Sequence, residues 1–224
     1  MRISSLSEEL LDLVYPSSCI GCGSAGCSLC ESCFVSLAGQ SHVGELDPHG
    51  DGTPAAITGY RAACAYEGVA RKMVLGLKSS ARRFAAPLGL LMAAAFGNDP
   101  DYLLCDSVCF VPSDRKKIAQ RGYNPAEVLA RSVALHVDRP LEDRLLKVRN
   151  TLDQDTVRGA DRWSNVVGAF AVMPGRAAAG RVLLVDDVLT TGATAGSCAA
   201  ALMKSGASEV FLLVAAKAIL RREG

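Results

Sequence analysis

The chain has little net charge, few aromatic residues and no apolar run of membrane length. Its 24 Lys and Arg residues nearly balance 23 Asp and Glu, for a formal net charge of +1. That balance excludes a globally basic, histone-like binder, although a local basic groove stays open. One Trp, five Tyr and six Phe, spread along the chain, give no evident stacking surface for single strands. The longest apolar runs, such as Val210 to Ala216, are strand-sized and fall well short of the roughly 18 residues a membrane helix needs. The mean hydropathy of +0.22 is raised by alanine and is no membrane signal. Glu8 and Glu9 stand where a signal peptide would carry its apolar stretch, so the expected compartment is the cytoplasm.

What is present is enough for one α/β domain of ordinary size plus a small appendage: 224 residues, half of them apolar. Five of nine cysteines, Cys19, Cys22, Cys27, Cys30 and Cys33, crowd one short segment. An odd total and paired CxxC spacing favour reduced thiols and metal over disulfides. Cys19-x2-Cys22 followed by Cys30-x2-Cys33 is a four-thiolate pattern for structural Zn²⁺, since two such turns complete a tetrahedron. Cys27 forms a rival pair with Cys30, so one of the five is left over and the ligand set stays open between them. An iron–sulfur cluster is the alternative occupant.

Along the chain, Ile3, Leu6, Leu10, Leu13 and Val14 recur at helical spacing until Pro16. Residues 1–40 read as this helix plus the metal module, 41–55 as a Gly- and Pro-rich linker, and 56–220 as the main domain. In that domain strands are expected at 57–66, 107–111, 182–185 and 210–216, with helices at 70–77, 85–96, from Asn124 onward, and from the segment after Asp187 to about Ser205. Asn124, Pro125 and Glu127 carry N-cap, first-turn and capping-box chemistry for their helix. Residues 147–165 read as a mobile loop. Alternating strands and helices argue for a parallel sheet.

The stretch Val182-Leu-Leu-Val-Asp-Asp-Val-Leu-Thr-Thr-Gly-Ala-Thr194 carries the chemistry. A strand buried on both faces ends in Asp186 and Asp187, where open parallel sheets bind ligands. Thr190, Thr191, Gly192, Ala193 and Thr194 then present backbone N–H groups and hydroxyls at a helix start, a cradle for phosphate. Carboxylates beside such a cradle suit ribose hydroxyls and attract Mg²⁺ held by a pyrophosphate. The bland alternative is a buried strand whose acids cap the next helix. A Walker A loop is excluded, since no GxxxxGK[ST] occurs. After Val111-Pro112, a loop holding Arg115, Lys116, Lys117 and Arg121 can grip the pyrophosphate, with Arg121 as a bidentate fork and Gly122 making the turn. The Arg115–Lys117 run reads more readily as a solvated basic face, and Lys78 equally as a phosphate contact or a surface lysine beside Arg82 and Arg83.

The thirteen residues from Val182 to Thr194 resemble the ribose-5-phosphate signature of type I phosphoribosyltransferases. With the cysteine pairs they resemble the ComF-type competence-protein family, phosphoribosyltransferase-like proteins with an N-terminal zinc-ribbon module. Tyr15-Pro16, Leu29-Cys30, Leu77-Lys78, Val111-Pro112 and Arg121-Gly122-Tyr123-Asn124 carry the resemblance, as do Thr151, Gln154, Arg162, Asn165 and Phe170. Pro125 replaces the family's usual Gln, and Cys27 is extra. The resemblance implies a type I phosphoribosyltransferase fold, a cytoplasmic protein and a role in bringing single-stranded DNA into competent cells beside a DNA-translocating ATPase. Three functions compete. One is an enzyme that binds phosphoribosyl pyrophosphate with Mg²⁺ and transfers ribosyl phosphate to nitrogen, for which no general base is evident. The second is a single-stranded-DNA-handling component, and the third a zinc-ribbon adaptor.

Overall fold

The computed structural model describes residues 18–40, 42–44, 56–97, 100–149 and 166–218. Its strands are β1 (His42–Gly44), β2 (Gly59–Ala65), β3 (Ser107–Phe110), β4 (Leu145–Lys147), β5 (Phe170–Val172), β6 (Gly180–Leu189) and β7 (Ala207–Lys217). Its helices are α1 (Glu31–Ala38), α2 (Gly68–Lys78), α3 (Ala85–Phe96), α4 (Pro100–Leu103), α5 (Arg115–Arg121), α6 (Pro125–Val137) and α7 (Ala193–Lys204).

Five strands form one sheet in the order β1-β2-β7-β6-β3. β2, β7, β6 and β3 are mutually parallel and β1 is antiparallel to β2 at the edge. The α/β architecture expected from the alternating pattern is therefore present, a four-stranded parallel sheet flanked by helices. β6 lies between two neighbours and pairs Val182 with Val210 and Val185 with Leu213. Val182, Leu183, Leu184 and Val185 are wholly buried, which is why the strand reads as an unbroken apolar run instead of alternating. A Leu184→Ala cavity there would cost about 2–5 kcal/mol.

α2 and α3 pack on β2 and β7, α6 on β6 and β3, and α7 on β7 and β6. α6 starts as expected: Asn124 Oδ1 accepts from the Ala126 amide at 3.1 Å, and Pro125 fills the first position. Glu127 instead pairs with Arg131 at 3.2 Å, one helical turn on. The cysteine module joins the core through the buried Leu37, with Ile20, Leu29 and Phe34 packed against it.

Three features differ from the sequence reading. Residues 115–121 form a helix, not a loop: Asp114 caps it by accepting from the Lys116 amide at 2.9 Å, and Gly122 closes it at φ 84°. Inside the stretch read as linker, His42–Gly44 forms the edge strand β1. β4 and β5 form a separate two-stranded antiparallel sheet that the sequence reading lacked. No helix among the described residues is long and apolar enough to cross a membrane. The expected N-terminal helix, residues 45–55 of the linker, and Thr151, Gln154, Arg162 and Asn165 of the expected loop lie outside the described residues.

Candidate functional site

Chemistry gathers in two places, a cluster of thiols near the chain start and the carboxyl edge of β6. In the first, the sulfur atoms of Cys19, Cys22, Cys30 and Cys33 all lie within 4.8 Å of one another. A tetrahedral Zn²⁺ with Zn–S bonds of ~2.3 Å needs sulfurs ~3.8 Å apart. Cys22 Sγ and Cys30 Sγ, at 3.6 Å, already meet that spacing. Backbone and hydroxyl groups prepare the thiolates, with the Cys30 amide donating to Cys19 Sγ at 3.3 Å and Ser32 Oγ 3.2 Å from Cys30 Sγ. The Ser32 hydroxyl and the Cys33 amide pull the Cys30 thiol down to about 5, while Cys30 and Cys19 push Cys33 up to about 12. Four thiols this close cannot all ionise against one another unless a cation sits among them. The donor set, its spacing and its electrostatics fit zinc, so the group could bind that ion. Cys27 is outside the group, and none of the nine cysteines is in a disulfide.

At the second place, β6 delivers Asp186 and Asp187 to the edge of the sheet. Successive strand residues face opposite ways, and the two acids divide accordingly. Asp186 lines an open depression of about 270 Å³ with Thr190, Gly192, Thr194, Leu212 and Val214. Gly192 makes the turn into α7 at φ 74°, a conformation closed to most side chains, and no side chain caps the helix. Ala193, Thr194 and Ala195, the first turn of α7, line the depression as well, where a helix start favours an anion. Thr191 Oγ1 is a buried hydroxyl with no hydrogen-bond partner, and Thr191, unlike Thr190 and Thr194, is not among the residues lining the depression. Burial, then the neighbouring Asp187, push the Asp186 carboxyl up to about 8, although the Asp187 amide donates to its Oδ1 at 2.8 Å.

Asp187 turns to Lys78 at the end of α2, whose Nζ is 3.0 Å from Asp187 Oδ1. Burial alone would lower Lys78, but Asp187 and Asp186 outweigh it and hold the ammonium above its ordinary value. The segment around Lys78 is tied to the Arg121–Gly122 turn. Tyr123 Oη donates to Leu77 O at 2.6 Å, Ser80 Oγ to Arg121 O at 3.4 Å and Arg82 to Gly122 O at 3.1 Å. The Arg82 guanidinium also stacks 4.5 Å over the Tyr123 ring. Behind the turn, Asn124 donates to Val111 O at 2.9 Å and accepts from Ser113 Oγ at 2.8 Å, which fixes α6 to the end of β3.

The structure thus brings Asp186, Thr190, Gly192, Ala193 and Thr194 to one depression, and Asp187 onto Lys78. The Ser80 and Arg82 side chains, just after Lys78, bond the carbonyls of Arg121 and Gly122, whereas Arg115, Lys116 and Lys117 stand on α5, which buries none of its residues. Ser80, Arg82 and Tyr123 were not singled out as site residues. Their bonds span 40–46 residues, and no linear spacing signals such contacts.

No family model matches the chain. Over 110 residues it is 34% identical to Competence protein F of Haemophilus influenzae, 48% of each chain being covered. This similarity supports the ComF-type family. The chain spans about half the length of the curated relative it matches.

Proposed function

We propose that this is a phosphoribosyltransferase-like protein that binds phosphoribosyl pyrophosphate with Mg²⁺ and acts in DNA uptake during competence. The observation that carries the ligand is the helix start at residues 192–195, without a side-chain cap, lining one depression with Asp186. In this reading the 5′-phosphate sits on residues 190–194, where backbone amides and the α7 dipole offset its charge. Asp186 and Asp187 accept from the ribose hydroxyls. Lys78, Arg121 and the Gly122 turn receive the pyrophosphate, and Mg²⁺ arrives on that group and neutralises part of its charge. The competence role rests on the name of the bacterial relative. Zn²⁺ on Cys19, Cys22, Cys30 and Cys33 is structural here, with every position filled by protein.

If transfer occurs, the C1–O bond to pyrophosphate breaks, a C1–N bond to the acceptor forms, and the nitrogen's proton leaves to solvent or a carboxylate. Grip on the leaving group and alignment of the sugar would supply the rate. Isothermal titration of the folded chain with phosphoribosyl pyrophosphate and Mg²⁺ tests the reading. Saturable heat that vanishes in Asp186→Asn with Asp187→Asn supports it, and no heat from the folded wild type ends it.

A second reading draws on α5: Arg115, Lys116, Lys117 and Arg121 on a helix that buries none of its residues. Such a ridge suits the backbone of single-stranded DNA. Binding that weakens steeply with salt favours it, because phosphate contacts release counterions. Salt-insensitive or undetectable binding rejects it. A DNA-translocating ATPase is the partner this reading implies.

A further inference from the structure

Asp187, one of the two acids assigned to the sugar, is engaged by Lys78 at 3.0 Å. The pair is sheltered, with side chains 35% and 15% exposed for Lys78 and Asp187, so salt screens it less than a surface pair. Leu77 O, just before Lys78, accepts from Tyr123 Oη, and the Ser80 and Arg82 side chains donate to the carbonyls of the Arg121–Gly122 turn. Ser80 adopts φ 78°, a conformation that costs a serine energy and that the surrounding bonds hold in place. The lysine side chain itself is a compact charge on a flexible stem.

We propose that Lys78 is a specificity-determining residue: it closes Asp187 to sugar hydroxyls until a second anionic group at the Arg121–Gly122 turn draws it away. The site would therefore select pentoses phosphorylated at both ends over the 5-phosphate alone. This rests on the phosphopentose reading above and adds the source of its selectivity. With Lys78 on Asp187 Oδ1, a sugar hydroxyl must compete with the ammonium for that oxygen. A monophosphate must break that pair and leaves Lys78 nothing in return. A diphosphate gives the ammonium phosphate oxygens in exchange, so Asp187 becomes free for the sugar when its counter-ion is needed elsewhere. Without Lys78, the Asp187 carboxylate and the diphosphate would repel one another directly.

The test is calorimetric titration of the full chain with ribose 5-phosphate and with phosphoribosyl pyrophosphate plus Mg²⁺, in wild type, Lys78→Met and Lys78→Arg. The expected result is opposite signs in Lys78→Met: about tenfold weaker for the diphosphate and about threefold to tenfold tighter for the monophosphate. Lys78→Arg should keep the wild-type preference. If Lys78→Met weakens both ligands by the same factor, Lys78 is a plain phosphate contact and the proposal is overturned. If wild type binds neither ligand, the phosphopentose reading itself fails, a result distinguishable from the first. Should Lys78→Met not fold, Lys78→Gln carries the same measurement.

Discussion

Two regions of this molecule hold like-charged acids in close quarters, and they relieve the repulsion in different ways. Cys19, Cys22, Cys30 and Cys33 converge with no cationic side chain paired to them among the described residues, and backbone amides, the Ser32 hydroxyl and neighbouring thiols favour the ionised forms of Cys19 and Cys30. Asp186 and Asp187 stand side by side on β6 with a cation of the protein's own, Lys78, on one of them. A cluster without an internal counter-ion calls for a metal that stays. A cluster with one on a movable side chain suits a ligand that comes and goes.

Removing a thiol should give the largest effect on that contrast. Cys30→Ser is expected to lose the bound metal entirely, about one zinc equivalent per chain by elemental analysis, and to loosen the segment from Ser18 to Ala38 in hydrogen exchange. Retention of stoichiometric zinc would remove the four-cysteine set. The acid pair should respond in the opposite sense. Asp186 favours its protonated form in the fold, so the stability it contributes is present below the ordinary carboxylate pKa and is lost as pH rises towards about 8. Ligand-free Asp186→Asn should therefore melt higher than wild type at pH 9, by about 4–8 °C for ~2 kcal/mol, with the gap closing towards pH 4. A variant that melts lower at pH 9 would contradict the strained-acid account.

Smaller effects sharpen the picture. Thr191 Oγ1 is buried without a partner, so Thr191→Val should leave Tm unchanged or raise it by about 2–4 °C, and weaken phosphoribosyl pyrophosphate about tenfold. Lost stability with unchanged binding would make that hydroxyl structural. Cys27→Ser is expected to change neither zinc content nor melting, because Cys27 stands outside the four-sulfur group. Loss of zinc there would reopen the ligand set.

How much of this could be read from the sequence depends on whether the deciding residues are neighbours in the chain. The β6–α7 turn was legible because its apolar run, acids, threonines and Gly192 are contiguous and each has one local job. The Cys-x2-Cys pairs were legible for the same reason, although only geometry separated Cys27 from the set. α5 was missed because RKKIAQR has no apolar stripe, and its helix is made by end effects, Asp114 at the start and Gly122 at the close. Those two residues were the available signal. β4 and β5, three residues each, are too short to show a period. The division of labour between Asp186 and Asp187 depends on Lys78, far off in the chain, and no spacing rule reaches that distance.

The central claim, that the edge of β6 and the start of α7 hold a phosphorylated pentose, is tested most directly by titrating the zinc-loaded chain with phosphoribosyl pyrophosphate and Mg²⁺. The account predicts saturable binding to one site in wild type and none in the Asp186→Asn, Asp187→Asn double variant with its fold intact. Equal binding by both proteins would contradict it.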